Sequence, residues 1–462
     1  MSFLRAAVRN GLVLAAALGL WAGCQKETPY APPAPPASPA SPASPQYGTP
    51  FAGVPDRQDA VMYQVNIRAF SAGGTFAGVT ARLDSIKALG VNVLYLMPIH
   101  PVGAVRAVNS PYCVRDYLAV NPEFGTLADL RALVDAAHAR GLSVMLDWVA
   151  NHTSWDHAWI AAHPDWYLRN AAGTILSPPN TTFLDVAQLD FSSPPMRLAL
   201  IAAMKSWVYT ANVDGFRCDY SDAPPADFWQ QAVDTLRRVR THRLLLLAEG
   251  TRASSFAAGF DYSFGFGFYG SLRGVFAGGA ATSLDARNDS EYAGTTGTQQ
   301  VVRYTTNHDV NGSDGTPVAL FGGSAGAMAA FVIAACYKGV PLVYNGQEAG
   351  MTTAIPFPFT SVKVRWGANP AVTRAYQQLL LARASSAALR HGTPVSYGTP
   401  AVCAFTKTAG PEQALVLVNV RNTAVRYPVP AALAGITWTN ALSGASVVLG
   451  SEFALPAYGY LC

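Results

Sequence analysis

Short apolar runs alternate with stretches of helical spacing along most of this chain. Gly90, Gly141 and Gly339 each close a stretch with apolar residues on one helical face, and an apolar run follows at once. Glycine suits the left-handed position that ends a helix, and near-continuous apolar runs are typical of parallel strands covered on both faces. The alternation therefore predicts an α/β fold built from repeated βα units. Strands are predicted near 61–70, 91–98, 143–149, 213–219, 243–249, 260–266, 300–307 and 341–346.

Polar residues stand at or just beyond the ends of four of these runs. Arg217 and Asp219 end one run, and Glu249 follows another. Residues two apart on a strand face the same side, so this arginine and this aspartate are expected to share a site. The guanidinium is expected to favour the charged form of the carboxylate. In a closed barrel of eight βα units, the active site lies at the carboxyl ends of the strands. The pattern thus predicts an active site that contains several carboxylates.

Four short segments carry a resemblance to a known family. They are Asp-Trp-Val-Ala-Asn-His at 147–152, Asp-Gly-Phe-Arg-Cys-Asp at 214–219, Leu-Leu-Leu-Ala-Glu at 245–249 and Thr-Asn-His-Asp at 306–309. In order and spacing they resemble the motifs of the α-amylase family of glycoside hydrolases (family 13, retaining). The resemblance implies a (β/α)8 TIM barrel with two additions. Its implied parts are the catalytic barrel at 51–388, a small domain B inserted after strand 3 at 151–193, and a C-terminal antiparallel β-domain at 389–462.

The resemblance also implies a role for each candidate residue. By it, Asp219 is the nucleophile, Glu249 the general acid/base and Asp309 the third carboxylate. A retaining glycosidase uses two carboxyl groups about 5–5.5 Å apart, one attacking the sugar and the other protonating the leaving oxygen. The implied substrate-binding residues are Tyr112, His152, Arg217 and His308, and the implied structural residues at the rim are Asp147, Asn151 and Asp116.

No cofactor is predicted. The family's usual calcium ligands include a histidine shortly after the nucleophile, where this chain has 220–222 without one, and an Asp-rich loop after strand 1, where 71–75 has no carboxylate. A hard cation needs such oxygen ligands. Five cysteines follow Cys24, and this odd number excludes complete pairing among them. Cys403 and Cys462, both in the C-terminal region, are candidates for a pair.

The first 50 residues predict export and anchoring. Two arginines precede an apolar segment from Leu12 to Leu20, which is typical of a signal peptide, here 1–23. The residues up to Cys24 resemble a bacterial lipobox, whose cysteine is acylated after cleavage. A lipid-anchored Pro-rich linker at 24–50 would then tether the folded part. We expect secretion across the inner membrane and a lipid anchor in a bacterial outer membrane.

The composition of the chain limits the kinds of molecule that it is expected to bind. Half of the 462 residues are hydrophobic, 13% are charged and the net charge is +4, against an ordinary charged share of about 25%. A chain of this kind lacks the basic patches that bind polyanions, so no nucleic-acid partner is expected. The expected partners are an α-glucan substrate and, through the lipid anchor, a membrane. The folded part is expected to be a monomer.

The predicted activity is retaining hydrolysis of α-1,4-glucosidic bonds in starch or maltooligosaccharides by double displacement. The same motifs serve α-glucan transglycosylases and α-glucosidases of the family, which differ in their loops, so these alternatives stay open. A non-catalytic glycan-binding lipoprotein is the alternative of another class. The presence of Asp219, Glu249 and Asp309 argues against it.

Overall fold

The computed structural model describes residues 46–462. The predicted signal peptide 1–23, the acylation site Cys24 and the linker up to residue 45 lie outside these residues. Within 46–462, every helix is too short or too polar to cross a membrane.

Eight parallel strands, labelled β1 to β8 in chain order, close into a barrel, which confirms the predicted fold class. Each strand pairs with the next one along the chain, and β8 pairs with β1. The first strand is shorter than predicted because Asn66 caps a helix that begins directly after it. The strands are Met62–Val65 (β1), Val93–Leu96 (β2), Ser143–Val149 (β3), Gly215–Asp219 (β4), Leu245–Ala248 (β5), Tyr262–Phe264 (β6), Gln300–Arg303 (β7) and Val340–Tyr344 (β8).

Alternate side chains of each strand face the barrel interior and the surrounding helices. On β5, Leu245 and Leu247 belong to the interior cluster, whereas Leu246 packs outward in the larger cluster that includes the helices. Burial of both faces explains why the strands appear as continuous apolar runs. Gly215 opens β4, and a Cβ atom there would lie 2.0 Å from the carbonyl oxygen of Leu245. The glycine therefore allows β4 and β5 to approach closely where both strands begin.

Helices cover the outer face of the barrel. The helix after β2 begins with a capping box, in which Thr126 and Asp129 satisfy each other's backbone N–H groups. Short 3-10 turns occur at Arg57–Asp59 and Pro164–Trp166. The helices are Ile67–Phe70, Phe76–Thr80, Leu83–Ala88, Leu127–His138, Ala158–Ala162, Pro194–Ala211, Ala226–Arg237, Ala253–Ala257, Phe266–Phe276, Ser283–Tyr292, His308–Ser313, Pro317–Leu320, Gly323–Cys336, Pro370–Ser385 and Ala387–His391.

The chain between β3 and the helix that precedes β4 forms a small insertion. Its strands His152–Ser154 and Val186–Gln188 pair in antiparallel fashion. Trp166 is buried within it, and its ring meets the ring of Trp159 edge-on at 5.0 Å. Both rings belong to the same hydrophobic cluster as the outer face of the barrel, so the insertion packs directly onto the barrel beside the carboxyl ends of the strands.

Antiparallel sheets follow the last barrel helices. A four-stranded sheet has the order Pro394–Ser396, Val402–Ala409, Glu412–Asn419 and Tyr460–Leu461, and two further pairs are Val425–Pro428 with Glu452–Leu455 and Thr437–Thr439 with Ser446–Val448. Lys407 joins the larger sheet to the barrel. Its buried Nζ donates to the carbonyls of Cys336 (3.3 Å), Tyr337 (3.1 Å) and Leu389, where two helices leave carbonyls without partners.

A buried carboxyl group follows β8. Glu348 is 3% exposed, accepts a hydrogen bond from the hydroxyl of Tyr63, and accepts another from the backbone N–H of Gly346 at 3.0 Å. Burial raises the pKa of Glu348 to about 7. The folded state therefore keeps this group protonated over a range in which an exposed carboxyl group is charged.

We expect Glu348→Gln to change how stability depends on pH. The carboxyl group has an ordinary pKa of 4.5 and a folded pKa of about 7. Between these values the folded form binds more protons, so its stability falls as the pH rises. The amide cannot ionise, so the variant should gain about 1–3 kcal/mol relative to the parent between pH 4.5 and pH 7. Urea unfolding at several pH values measures this.

Asp234→Asn is the matched control, because Asp234 is an exposed acidic residue. Its pH profile should run parallel to that of the parent. Parallel profiles for Glu348→Gln as well would show that Glu348 is ionised in the folded protein.

Candidate active site

A cavity of about 1180 Å³ opens at the carboxyl ends of the barrel strands. Asp219 and Glu249 line it from the ends of β4 and β5, and His308 and Asp309 line it from the helix that follows β7. Most of the remaining wall comes from loops 106–112 and 357–359 and from residues 182–186 of the insertion. The barrel thus fixes the strand ends that line the cavity, and loops from other parts of the chain complete its wall.

One guanidinium group joins three carboxylates beside this cavity. Nη1 of Arg217 lies 2.6 Å from Oδ1 of Asp147 and 2.9 Å from Oδ1 of Asp219, and Nη2 contacts Glu249. The register of β3 and β4 places Asp147 directly opposite Arg217, and Asp219 lies two residues further on the same face. The side chains of Arg217 and Asp147 are fully buried, whereas those of Asp219 and Glu249 are 11% and 13% exposed. Only the last two carboxylates can thus meet a ligand.

The pKa of Asp219 shifts in the opposite direction to the one expected from its contact with Arg217. Burial raises the pKa of Asp219 well above its usual range, Arg217 opposes the rise, and the charges of Glu249 and Asp147 add to it. Burial also raises the pKa of Asp147 to about 6, again against Arg217. Burial and the neighbouring carboxylates thus outweigh Arg217, so the pKa of Asp219 lies above its usual range although the guanidinium contacts it. Such a cluster titrates as a unit and retains a proton to higher pH than a single exposed carboxyl group does.

A chain of hydrogen bonds orders the facing side of the site. Nε2 of Gln64 lies 2.7 Å from Nδ1 of His308, Nε2 of His308 lies 2.6 Å from the hydroxyl of Tyr112, and that hydroxyl donates to Oδ2 of Asp147 at 3.2 Å. The amide donates to Nδ1, so this network assigns the imidazole proton to Nε2. Burial lowers the pKa of His308 to about 3. The imidazole is thus neutral and presents an N–H group that also lies 3.2 Å from Oδ1 of Asp309.

Two other predicted residues lie next to each other at the start of the insertion. His152 lines the cavity, and burial lowers its pKa to about 4. Asn151 is buried behind it, with Nδ2 3.3 Å from Nδ1 of His152 and Oδ1 accepting from Gln188 at 3.0 Å. Asn151 therefore orients His152 from beneath.

Asp309 and Asp116 differ in their relation to the cavity. Asp309 is the second residue of a helix capped by Asn307, whose side chain accepts the backbone N–H of Asp309 at 3.0 Å. Its carboxylate stays exposed toward the cavity, at 57% of the side chain. Asp116 is also exposed, but it accepts the backbone N–H of Leu118 at 2.8 Å and does not line the cavity. Its observed contact is that of a turn residue.

Known proteins resemble this chain both in sequence and in fold. Residues 47–172 match the family described as "Alpha amylase, catalytic domain". A curated relative, the α-amylase MalA of Haloarcula japonica, is 30% identical over 310 residues, which are 63% of this chain and 44% of that protein. The solved α-amylase of Lactobacillus plantarum superimposes with a TM-score of 0.77 at 28% identity, covering 88% of this chain and 99% of that one. Residues 47–172 thus match the α-amylase catalytic domain, and the likeness in fold extends over most of the chain.

A second curated relative has a different activity in its name. The α-1,4-glucan:maltose-1-phosphate maltosyltransferase of Rhodospirillum rubrum is 34% identical over 197 residues, which are 38% of this chain and 28% of that protein. The chain thus spans less than half the length of these first curated relatives. A match to the α-amylase catalytic domain does not by itself separate hydrolysis from glycosyl transfer.

Several residues that contact this site lie outside the four motifs. Gln64 on β1 and Tyr95 on β2 are polar side chains within apolar runs, and the hydroxyl of Tyr95 donates to Oδ2 of Asp147 at 2.7 Å. Every second residue of a barrel strand faces the interior, and a polar residue at such a position is the sequence signal that could have revealed both side chains. Tyr220 has a φ of 45° and donates its backbone N–H to Glu249 at 2.8 Å. No sequence pattern predicts that Tyr220 adopts a left-handed backbone conformation.

Metal binding at the site can be tested against its donor set. Among residues 46–462, one group of three possible ligands lies together, namely Glu249, His308 and Asp309, with ligand atoms within 4.8 Å of one another. Calcium takes six to eight oxygen ligands, and this group offers two carboxylates and an imidazole. The group therefore does not fit calcium, while its acceptors and its N–H donor suit sugar hydroxyls.

We expect His308 to remain neutral from pH 5 to pH 8, because burial lowers its pKa to about 3. Its ring carbon and proton shifts, measured by NMR on labelled protein, should stay constant over this range. Free histidine in the same buffer gives the reference transition near pH 6.5. His308→Gln identifies the signal by its loss, and a titration midpoint between pH 5 and pH 8 for that signal would contradict the expectation.

Proposed function

We propose that this chain hydrolyses α-1,4-glucosidic bonds of starch or maltooligosaccharides with retention of configuration at the anomeric carbon. The observation that carries the proposal is the contact of Asp219 and Glu249 with neighbouring nitrogens of the Arg217 guanidinium. Retaining hydrolysis needs two carboxyl groups close together that share one proton between them. A cluster that has more carboxylates than cations supports this sharing.

The proposed reaction proceeds in two steps on these residues. In the first, the carboxylate of Asp219 attacks the anomeric carbon while Glu249 donates its proton to the departing glycosidic oxygen, which forms a glycosyl ester on Asp219. In the second, Glu249 takes a proton from water, and the resulting hydroxide oxygen attacks the anomeric carbon and releases Asp219. Arg217 contacts both carboxylates, so it can balance the negative charge as it moves between them.

The remaining side chains are proposed to hold the sugar. The ring of Tyr112 is half-buried and stacks on His308, with ring centroids 5.4 Å apart, so its free edge and face can meet the apolar face of a pyranose. His152, the Nε2–H group of His308 and the exposed carboxylate of Asp309 supply donors and acceptors for hydroxyl groups. This set would bind the sugar ring that is cleaved.

Glycosyl transfer is the second candidate, and one observation favours it. Exposed apolar side chains line the cavity beyond the carboxylates, among them Phe183 (44% exposed), Leu184 (68%) and Phe357 (52%). Apolar surface can bind an acceptor sugar and reduce the access of water to the glycosyl ester. Products longer than the substrate, formed from maltotriose at high concentration, would support a transglycosylase, and release of glucose alone would support an α-glucosidase.

We expect Asp219→Asn and Glu249→Gln to lower the rate of starch hydrolysis by about 10³-fold or more. The two variants should differ on an aryl α-glucoside whose leaving group needs no proton. Glu249→Gln should keep a larger share of the first step there, seen as a burst of released phenol, whereas Asp219→Asn should lose it. The rates are measured with starch, maltotetraose, pullulan and sucrose beside the aryl glucoside, and the anomeric form of the product is followed by NMR.

Asp227→Asn is the matched control for these variants, because Asp227 forms an exposed ion pair with Arg197 on the outer face of the barrel. It should keep full activity. Full activity of Asp219→Asn or Glu249→Gln would remove that residue from the mechanism. No turnover of any substrate by the parent protein, together with glycan binding, would favour the non-catalytic alternative.

We also propose that the protein is secreted across the inner membrane, acylated at Cys24 and held at a bacterial outer membrane as a monomer. The support is the charged and apolar segment before Cys24 and the proline-rich residues after it. Cys24→Ser should move the protein from the membrane fraction to the soluble fraction, because acylation requires the thiol. Gln25→Ser is the control and should stay with membranes, and membrane association of Cys24→Ser would end the proposal.

A further inference from the structure

The loop after β4 and the loop after β5 are hydrogen-bonded to each other beyond the ends of their strands. The strand pairing ends at Cys218 with Ala248. The backbone N–H of Glu249 then donates to the carbonyl of Cys218 at 3.0 Å, and the backbone N–H of Ser221 donates to the carbonyl of Glu249 at 2.9 Å. The contact between β4 and β5 therefore continues past both strands and includes the residue proposed as the general acid/base.

Tyr220 is the residue of this contact that reaches the carboxyl group of Glu249. Its backbone N–H donates to Oε2 of Glu249 at 2.8 Å, while Nη2 of Arg217 contacts Oε1. Its φ of 45° lies in the left-handed region, which a residue with a Cβ atom seldom adopts. Such a conformation persists only where surrounding contacts hold it, so the position of this N–H group depends on the residues that follow Tyr220.

Asp222 supplies contacts of this kind. Its Oδ2 accepts the backbone N–H of Thr251 at 2.8 Å and the hydroxyl of the same residue at 3.0 Å. Its Oδ1 accepts the backbone N–H of Arg252 at 3.3 Å and lies 3.9 Å from Nε of that arginine. One carboxylate thus binds the loop that follows Glu249 to the loop that contains Tyr220.

Gly250 allows Asp222 to come this close. A Cβ atom at Gly250 would lie 2.3 Å from Oδ1 of Asp222 and 2.7 Å from Oγ of Ser221. On the other side of the loop, the carbonyl of Gly250 accepts the hydroxyl of Ser263, a residue of β6, at 2.7 Å. Because β6 holds the loop in place, a methyl group at position 250 would push the carboxylate of Asp222 away.

We propose that Asp222 is a positioning residue for Glu249. It holds the two loops together, and this keeps the N–H group of Tyr220 on the carboxyl oxygen of Glu249. The inference rests on the proposed function, in which Glu249 protonates the departing glycosidic oxygen. A proton donor must lie within hydrogen-bond reach of the atom that it protonates, so a shift of the Glu249 side chain would impair that step first.

The test compares starch with an aryl α-glucoside whose leaving group needs no proton. We expect Asp222→Ala to lower kcat on starch by about 10²-fold, the loss that a misplacement of about 1 Å can cause. The burst of phenol released from the aryl glucoside should stay close to that of the parent, because this step needs no proton from Glu249. General disruption of the cavity would lower both rates together.

Two further variants address the same contact. Gly250→Ala should show the same difference between the two substrates, and the double variant with Asp222→Ala should lose no more than Asp222→Ala alone, because both changes break one contact. Asp222→Asn keeps an oxygen that can accept both donors of Thr251. It should therefore hydrolyse starch within about fivefold of the parent rate, as expected when one neutral hydrogen bond is lost.

Asp129→Ala is the matched control. One oxygen of Asp129 likewise accepts the backbone N–H and the hydroxyl of a single threonine, Thr126, at 2.8 Å and 2.7 Å. Asp129 begins an outer helix and does not line the cavity. The variant should keep the parent rates on both substrates while its unfolding temperature falls, which separates loss of stability from loss of positioning.

Three outcomes for Asp222→Ala would overturn the proposal. They are starch hydrolysis at the parent rate, an equal fall in both rates, and a raised KM for starch with kcat unchanged, which would show that Asp222 binds the sugar directly. Equal losses for Asp222→Ala and Asp222→Asn would exclude the hydrogen bonds to Thr251 as the cause. Gly250→Ala provides the same comparison if Asp222→Ala does not fold. Failure of the proposed function would appear separately, as full activity of Glu249→Gln.

Discussion

The buried guanidinium of Arg217 is the interaction on which the rest of the site depends. It contacts Asp147, Asp219 and Glu249, which come from three adjacent strands or strand ends. Without a cation, three carboxylates at this depth could not remain close together, because burial and mutual repulsion would both oppose their charges. The barrel in turn makes the contact possible, since the register of β3 with β4 sets Asp147 opposite Arg217. The charge balance of the site and the strand register of the barrel therefore both involve Arg217.

Much of the barrel could be predicted from the sequence because its strands are buried on both faces. The period-2 rule also brought Arg217 and Asp219 to one face, and the structure has their side chains in contact. The end of β1 was missed because a side-chain cap at Asn66 begins a helix within an apolar run. Asp116 was expected at the rim of the site, but its carboxylate instead accepts a backbone N–H group in a turn outside the cavity.

Other features could not be predicted because they arise from tertiary contacts. The direction in which the pKa of Asp219 shifts depends on how many carboxylates share one cation and how deeply they are buried, and neither quantity is visible in a motif. Gln64 lies far from His308 in sequence and acquires its role only when β1 and β7 both point to the same cavity. In each case the chemistry of a residue is decided by its neighbours in space.

The distribution of charge around the cavity has a consequence for the kind of sugar it admits. Its lining includes the carboxylates of Asp185, Asp219, Asp222, Glu249 and Asp309, while Arg106 is the one arginine or lysine among these lining residues. The single central cation, Arg217, is turned toward the carboxylates behind the wall. A phosphorylated or otherwise anionic sugar would meet a field of its own sign, whereas a neutral glucan would not. Repulsion of this kind would act before any hydrogen bond to a hydroxyl group is made.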